Sequence, residues 1–118
     1  MRKIYFLKTC DTCKRILKKL PKQDTFIFHE IKENPLEVKE LEYLKSLSGN
    51  YQSLFSKRAK LYKEMGLKDE NLSESDFKRY ILEHYTFINR PIIVIDNQIF
   101  TGNSEKNIQN AIDVLSNE

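Results

Sequence analysis

The two cysteines of the chain lie in one short motif, Cys10-Asp11-Thr12-Cys13. An apolar run precedes the motif and a segment of helical periodicity follows it, so the sequence predicts a passage from strand to helix at this point. A thiolate at a helix N-terminus faces unpaired backbone N–H groups and the positive end of the helix dipole, which lower its pKa. This placement predicts that Cys10 is an acidic, nucleophilic thiol.

Cys13 lies three residues further on and falls on the predicted apolar face of the same helix. That face is formed with Ile16, Leu17 and Leu20. One helical turn separates the two cysteines, so Cys13 is within disulfide reach of Cys10. A reactive thiol beside a second, buried thiol suits a nucleophile and a resolving cysteine, and a CxxC motif at a strand–helix junction is typical of redox proteins.

Two alternatives for the cysteine pair stay open at this point. One is a zinc site, which needs four ligands. Beyond the pair the chain offers only His29 and His84, without metal-ligand spacing, and each is better explained as an ordinary strand-end or helix-surface residue. The other alternative is a pair of inert small residues at the start of a helix.

Two arginines are candidates for binding an anion. Arg58 lies in the basic segment Lys57-Arg58-Ala59-Lys60, which is predicted to be helical, and Arg90 precedes Pro91 directly before a predicted strand. Together they would supply forked N–H donors for a tetrahedral oxyanion beside a thiolate. The simpler alternatives are a solvated helix face for Arg58 and an ordinary trans proline at a strand start for Pro91.

The elements around the cysteines follow a strand–helix–strand order. An apolar run at residues 3–7 predicts a strand, residues 10–20 predict a helix that Pro21 ends, and residues 25–29 predict a second strand. The next third of the chain is predicted to be helical. Its expected helices are residues 36–48, with Asn34 as cap and Pro35 at the first position; residues 53–65, closed by Gly66; and a helix capped by Ser73 with Asp76.

The last third returns to strand periodicity. Residues 92–95 and 98–100 flank the turn Asp96-Asn97, which predicts a β-hairpin, and a final helix carries apolar residues at 108, 111, 112 and 115. A βαβ unit followed by a ββα unit is the chain order of a thioredoxin-like mixed α/β sheet. We therefore predict one domain over residues 1–118, with a helical insert at about 34–88 between the two halves.

Composition and charge limit the function classes. The chain has 118 residues, 40% hydrophobic and 31% charged, and no apolar run approaches the ~20 residues of a membrane span. We expect a cytoplasmic protein without membrane contact. Residues 1–60 carry 14 basic and 7 acidic side chains, whereas residues 61–118 carry 6 and 10, so an anion is expected to approach the first half. The simpler alternative to an anion-attracting surface is a solvated lysine face. The net charge of +3 does not indicate direct nucleic-acid binding.

Nearly the whole chain resembles the ArsC/Spx family of thioredoxin-fold proteins, the arsenate reductases and their transcription-regulating relatives. Cys10 is similar to the catalytic cysteine of that family, and its motif with Cys13 resembles the CxxC form of Spx-type members. Arg58 and its neighbours resemble the arginine-bearing segment of the family's helical insert. The segment Asn89-Arg90-Pro91 resembles a strand start at which the family's proline is cis and its arginine binds the anion.

The resemblance leaves two hypotheses. In the first, the protein is an enzyme in which Cys10 attacks a disulfide or a small oxyanion and Cys13 resolves the adduct; the two arginines favour it. No metal or organic cofactor is then expected, and glutathione with glutaredoxin, or thioredoxin, would supply electrons. In the second, the same pair is a redox switch on a regulator that binds RNA polymerase. The segment Phe100-Thr101-Gly102-Asn103 lacks the third arginine of glutaredoxin-dependent arsenate reductases, so arsenate reduction is in doubt.

Overall fold

The computed structural model describes residues 1–118 and contains four strands and five α-helices. In chain order they are β1 (Arg2–Phe6), α1 (Asp11–Lys19), β2 (Ile27–Glu30), α2 (Val38–Ser48), α3 (Lys60–Glu64), α4 (Glu74–Glu83), β3 (Ile92–Ile95), β4 (Gln98–Thr101) and α5 (Glu105–Ser116). No helix combines the length and the apolar character that crossing a membrane requires.

The chain divides into two units. The first joins Met1–Asn34 to Arg90–Glu118 and holds every strand; the second is Pro35–Asn89 and is helical. The second unit covers nearly the same residues as the predicted insert, 34–88. The assignment of the whole chain to a single domain stays a prediction.

The first unit is built on a four-stranded sheet in the order β2-β1-β3-β4. β1 pairs in parallel with β2 and antiparallel with β3, and β3 pairs antiparallel with β4. This mixed sheet confirms the predicted βαβ and ββα units. Tyr5, Ile92 and Thr101 are paired in one row across the sheet. The ends of β1 and β4 and the start of β3 therefore lie at the same edge of the sheet.

The helices α1 and α5 are held on this sheet by an apolar layer. Its buried residues are Ile4, Ile16, Leu20, Phe26, Ile93, Ile95, Ile108, Ala111 and Leu115. Burying one Ile or Leu side chain contributes about 1.5–3 kcal/mol relative to leaving it exposed, so a layer of this size fixes both helices. The predicted apolar face of the last helix is confirmed by its buried residues.

The second unit corrects the predicted helix at 53–65. Phe55 forms an isolated bridge with Ile88, and its ring stacks on Phe87 with centroids 5.2 Å apart. Ser56 N–H donates to the Phe87 carbonyl at 2.7 Å. These contacts hold Phe55 in an extended conformation, so only a 3₁₀ turn at Gln52–Leu54 and the short helix α3 form.

The start of α2 was also predicted wrongly. The N-cap is Glu37 rather than Asn34, and the helix begins at Val38. Asn34 serves the turn after β2 instead: its N–H donates to the Glu30 carbonyl at 3.0 Å, and its carbonyl contacts His29 Nε2 at 2.6 Å. The backbone of Asn34 thus belongs to the turn after β2, and the N-cap of α2 falls three residues later.

Other local predictions are confirmed. Ser73 caps α4 in a capping box with Asp76, in which each residue bonds the backbone N–H of the other. Asp96 turns the β3–β4 hairpin with a φ of 56°, in the left-handed region that Asp tolerates. These features depend on neighbours in the chain, which is why they were readable from the sequence.

Candidate active site

Cys10 is the N-cap residue of α1 and ends the loop that leaves β1. Its N–H donates to the Leu7 carbonyl at 3.0 Å, and its own carbonyl accepts from Lys14 N–H at 3.1 Å. The thiol is half-buried. It therefore lies at the positive end of the helix, where the sequence predicted it.

The surroundings of Cys10 favour its thiolate. Burial raises the pKa of the thiol, but hydrogen bonds from the backbone N–H and the thiol of Cys13, together with the charge and hydrogen bond of Arg90, outweigh burial and lower the pKa. The thiolate is the nucleophilic form of cysteine. The lowered pKa therefore increases the share of Cys10 that is in the nucleophilic thiolate form.

Cys13 lies in the opposite environment. Its side chain is fully buried, and burial raises the pKa of the thiol to about 11. The neighbouring Cys10 raises this pKa further through its charge and its hydrogen bond. Both cysteines are free thiols in this structure, and the thiol of Cys13 remains protonated at neutral pH. The two sulfurs are chemically distinct although only two residues separate them.

Arg90 and Pro91 enter β3 at the same edge of the sheet. The Arg90-Pro91 peptide bond is cis, as the family resemblance implied and contrary to the trans form that the residue pattern alone favoured. Pro91 is buried, and its carbonyl accepts the N–H of Gly102 at 3.0 Å. Arg90 stands beside Cys10 and hydrogen-bonds its sulfur. A guanidinium in this position is able to pair with an anion that approaches the thiolate.

Glu30 supports the cysteine loop and was missed by the sequence analysis. Its carboxylate is only 9% exposed and accepts three backbone N–H groups, from Lys8 at 2.7 Å, Lys32 at 2.6 Å and Glu33 at 2.9 Å. Burial raises its pKa, but these bonds outweigh burial and lower it. The Lys8 bond ties the end of β2 to the loop two residues before Cys10. The available signal was an acid directly before the apolar Ile31, at the end of the mainly apolar segment 26–31.

A single known protein family matches the part of the chain that contains all of the candidate site residues. The model of the ArsC family matches residues 5–111, which contain both cysteines and both candidate arginines. The chain belongs to the ArsC family. Because the match covers most of the chain, family membership includes both the strands of the first unit and the helices of the second.

Similar proteins carry two different names. The chain is 27% identical over 108 residues to the global transcriptional regulator Spx of Streptococcus pneumoniae, covering 90% of this chain and 81% of that protein. It is 23% identical over 93 residues to an arsenate reductase of Acidiphilium multivorum, covering 77% and 66%. The solved arsenate reductase from Vibrio cholerae superposes with a TM-score of 0.76 at 24% identity, covering 96% of each chain. These similarities support thiol-redox chemistry of the ArsC type.

Arg58 lies in the second unit of this ArsC-family chain. It is exposed in the turn at residues 57–58, before α3, so its predicted helical position is wrong. Phe55 is paired with Ile88, and this pairing prevents the helix from starting earlier. The role of Arg58 in anion binding stays a prediction.

The ArsC-family fold places the two histidines in structural contacts. His29 Nε2 contacts the Asn34 carbonyl, and His84 Nδ1 accepts the N–H of Thr86 at 3.2 Å. No three His, Cys, Asp or Glu side chains are grouped closely enough to hold a metal ion. The zinc alternative for Cys10 therefore lacks a ligand set.

Proposed function

We propose that this protein is a thiol–disulfide oxidoreductase in which Cys10 is the nucleophile and Cys13 the resolving cysteine. The observation that carries the proposal is the opposite perturbation of the two thiols: the pKa of Cys10 is lowered, while that of Cys13 is raised to about 11. An enzyme that attacks with one sulfur and resolves with the other needs this difference, because two equally reactive thiols would not fix the order of events.

The reaction has two exchange steps. The Cys10 thiolate attacks one sulfur of a substrate disulfide, forms a mixed disulfide and releases the other substrate half as a thiolate. Cys13 then gives up its proton and attacks the Cys10 sulfur, which forms the Cys10–Cys13 disulfide and releases the second half as a thiol. The substrate has gained two electrons, and the protein has lost them.

The first step prepares the second. In the reduced protein, the charge and hydrogen bond of Cys10 help to raise the pKa of Cys13. Both effects end when Cys10 enters the mixed disulfide, so the pKa of Cys13 falls. More of the Cys13 thiolate is then available for the second step. A dithiol such as thioredoxin, or glutathione with glutaredoxin, would return two electrons and open the internal disulfide. This cycle requires no metal or organic cofactor.

Arsenate is a weaker candidate substrate than a disulfide. Arg90 and the N-terminal N–H groups of α1 would stabilise an oxyanion near Cys10. The segment Phe100-Thr101-Gly102-Asn103 has no arginine, and the Gly102 N–H is used by the Pro91 carbonyl. We therefore assign small disulfides or mixed disulfides as the substrate class.

Turnover of a small uncharged disulfide tests this function, with thioredoxin or glutathione plus glutaredoxin as the electron source. Cys10→Ser should abolish turnover. Cys13→Ser should accumulate a mixed disulfide on Cys10, visible by mass spectrometry, whereas Ser46→Ala at an exposed helix position serves as the control. Full multi-turnover activity of Cys13→Ser with the same reductant would contradict its role as the resolving cysteine.

A redox-switched regulator that binds RNA polymerase is the second candidate. Its support is the 27% identity to the Spx regulator over 90% of the chain. In this case the Cys10–Cys13 disulfide would change the affinity for RNA polymerase instead of serving turnover. Capture of RNA polymerase from cell extract by the oxidised protein but not by the doubly substituted Cys10→Ser/Cys13→Ser variant, without disulfide turnover, would favour the regulator.

A further inference from the structure

A groove runs between α1 and α5 in the first unit and has no part in the chemistry described above. Its volume is about 510 Å³. The apolar floor is formed by Ile16, Ile108 and Ile112, and three cations stand on its rim, Arg15, Lys19 and Lys106. Glu105 is the acidic residue of the lining. The rim is therefore cationic above an apolar base.

The groove begins near the edge of the sheet that carries Cys10. Tyr5, Ile92 and Thr101 lie in one row across the sheet, so the loop to α1 and the loop to α5 leave the same edge. Asn103, in the second of these loops, lines the groove. From there the groove follows α1, whose first residue comes directly after Cys10. A partner lying in the groove would thus reach the reactive thiol with one end.

The rim cations have no acidic partner within the chain. Arg15, Lys19 and Lys106 are exposed, and none of them belongs to an ion pair. Two other lysines of this unit are paired: Lys22 contacts Glu118 at 2.7 Å, and Lys8 contacts Glu33 at 2.6 Å. The charge on the rim is consequently available to an outside anion.

We propose that this groove is the docking site for an acidic segment of the protein that exchanges thiols with Cys10. The inference rests on the proposed function and adds the chemistry of its partner. Arg15 and Lys19 are one turn apart, roughly 6 Å along the helix axis. Alternate side chains of an extended peptide are roughly 6.6 Å apart, so two acids at positions i and i+2 match the two cations. The single side chain between them, at i+1, points to the opposite face of the peptide, so an apolar residue there would contact the isoleucine floor.

Synthetic peptides with one cysteine, held as a mixed disulfide with thionitrobenzoate, test this docking. Attack by Cys10 forms the Cys10–peptide disulfide and releases the coloured thionitrobenzoate anion, which stopped-flow absorbance follows. The peptides differ only in two alternate residues, Asp, Asn or Lys, and in the length of the spacer to the cysteine. We expect the Asp peptide with a fitting spacer to react about tenfold faster than the Asn peptide at low salt, with the Lys peptide slowest.

The double variant Arg15→Glu/Lys19→Glu should remove this preference and leave the reaction with a small uncharged mixed disulfide unchanged. Lys39→Glu/Lys68→Glu changes the net charge by the same amount at exposed positions of the other unit and should keep the preference. Equal rates for the Asp and Asn peptides at every spacer length would overturn the proposal, and so would an equal loss in both double variants.

Direct binding separates the docking site from the proposed function. A fluorescent, cysteine-free Asp peptide should bind the wild-type protein, and its Kd should rise about tenfold in Arg15→Glu/Lys19→Glu. If the small mixed disulfide fails to react with Cys10 while this binding is observed, the proposed function is wrong, and the groove is retained only as a binding site for an acidic segment. If a short single-stranded DNA displaces the peptide at equal concentration, the groove is a general polyanion surface and the proposal fails.

Discussion

Replacing Glu30 with Gln removes the negative charge of a carboxylate that accepts hydrogen bonds from three backbone N–H groups. The volume of the side chain hardly changes. One carboxylate oxygen accepts from Lys32 and Glu33, and the other accepts from Lys8. Gln keeps one oxygen and therefore retains at most the first two bonds. Its NH₂ group must then face the Lys8 N–H, and two donors cannot bond to each other. The substitution thus releases the loop that carries Cys10.

The loss in free energy of unfolding follows from these contacts. A buried donor without a partner costs about 1–3 kcal/mol, and a hydrogen bond to a neutral acceptor is weaker than one to a charged acceptor by about 1 kcal/mol. We expect Glu30→Gln to lower the free energy of unfolding by about 2–4 kcal/mol, measured by urea denaturation. Glu33→Gln is the matched control, because the Glu33 carboxylate is 58% exposed and pairs only with the exposed amine of Lys8. Its effect should be much smaller.

The pH dependence of Glu30→Gln follows from the lowered pKa of Glu30. A carboxyl group whose pKa is lower in the folded protein stabilises the fold fully above its unfolded pKa, and this stabilisation is lost as the pH falls through its folded pKa. The difference in stability between wild type and Glu30→Gln should therefore be constant near neutral pH and shrink as the medium is acidified below about pH 4.5.

The same variant should affect Cys10 more than the rest of the protein. With the Lys8 bond broken, the loop holds the thiol less firmly at the N-terminus of α1, so we expect the pKa of Cys10 to rise and its alkylation at pH 7 to slow. Site-resolved mass spectrometry measures this rate. If Glu30→Gln and Glu33→Gln have equal stability and equal Cys10 alkylation profiles, the positioning role of Glu30 is refuted.

Three further predictions concern the thiols, the anion and a helix end. Alkylation of Cys10 should show an inflection below the ordinary cysteine pKa and that of Cys13 near 11, and Arg90→Ala should raise the Cys10 inflection because it removes a favourable charge. Arsenate should be reduced slowly or not at all with glutaredoxin in steady-state kinetics, so turnover of order 1–1000 per second that Arg90→Ala abolishes would contradict our substrate assignment. Ser104 caps α5 by accepting the Asn107 N–H at 3.1 Å, so Ser104→Ala should lower stability by about 0.5–2 kcal/mol in thermal unfolding.

Features that depend on neighbouring residues could be predicted from the sequence. The position of Cys10 at a helix start, the burial of Cys13 one turn later and the Asp96 turn are all confirmed. Each is governed by helical periodicity or by the backbone preference of one residue, which operate over a few positions in the chain. The thioredoxin-like chain order followed from the same short-range patterns.

Contacts between residues far apart in the chain could not be predicted in this way, because they depend on how the chain folds in three dimensions. The bridge from Phe55 to Ile88 overrides the local helical pattern at 53–65, because pairing with a segment more than thirty residues away satisfies the backbone groups that a helix would have used. The sequence around Glu30 marks it only as an acid beside apolar residues and does not show what its carboxylate binds. Its role arises because the parallel register of β1 and β2 brings its carboxylate to the N–H of Lys8, and no local preference specifies that meeting.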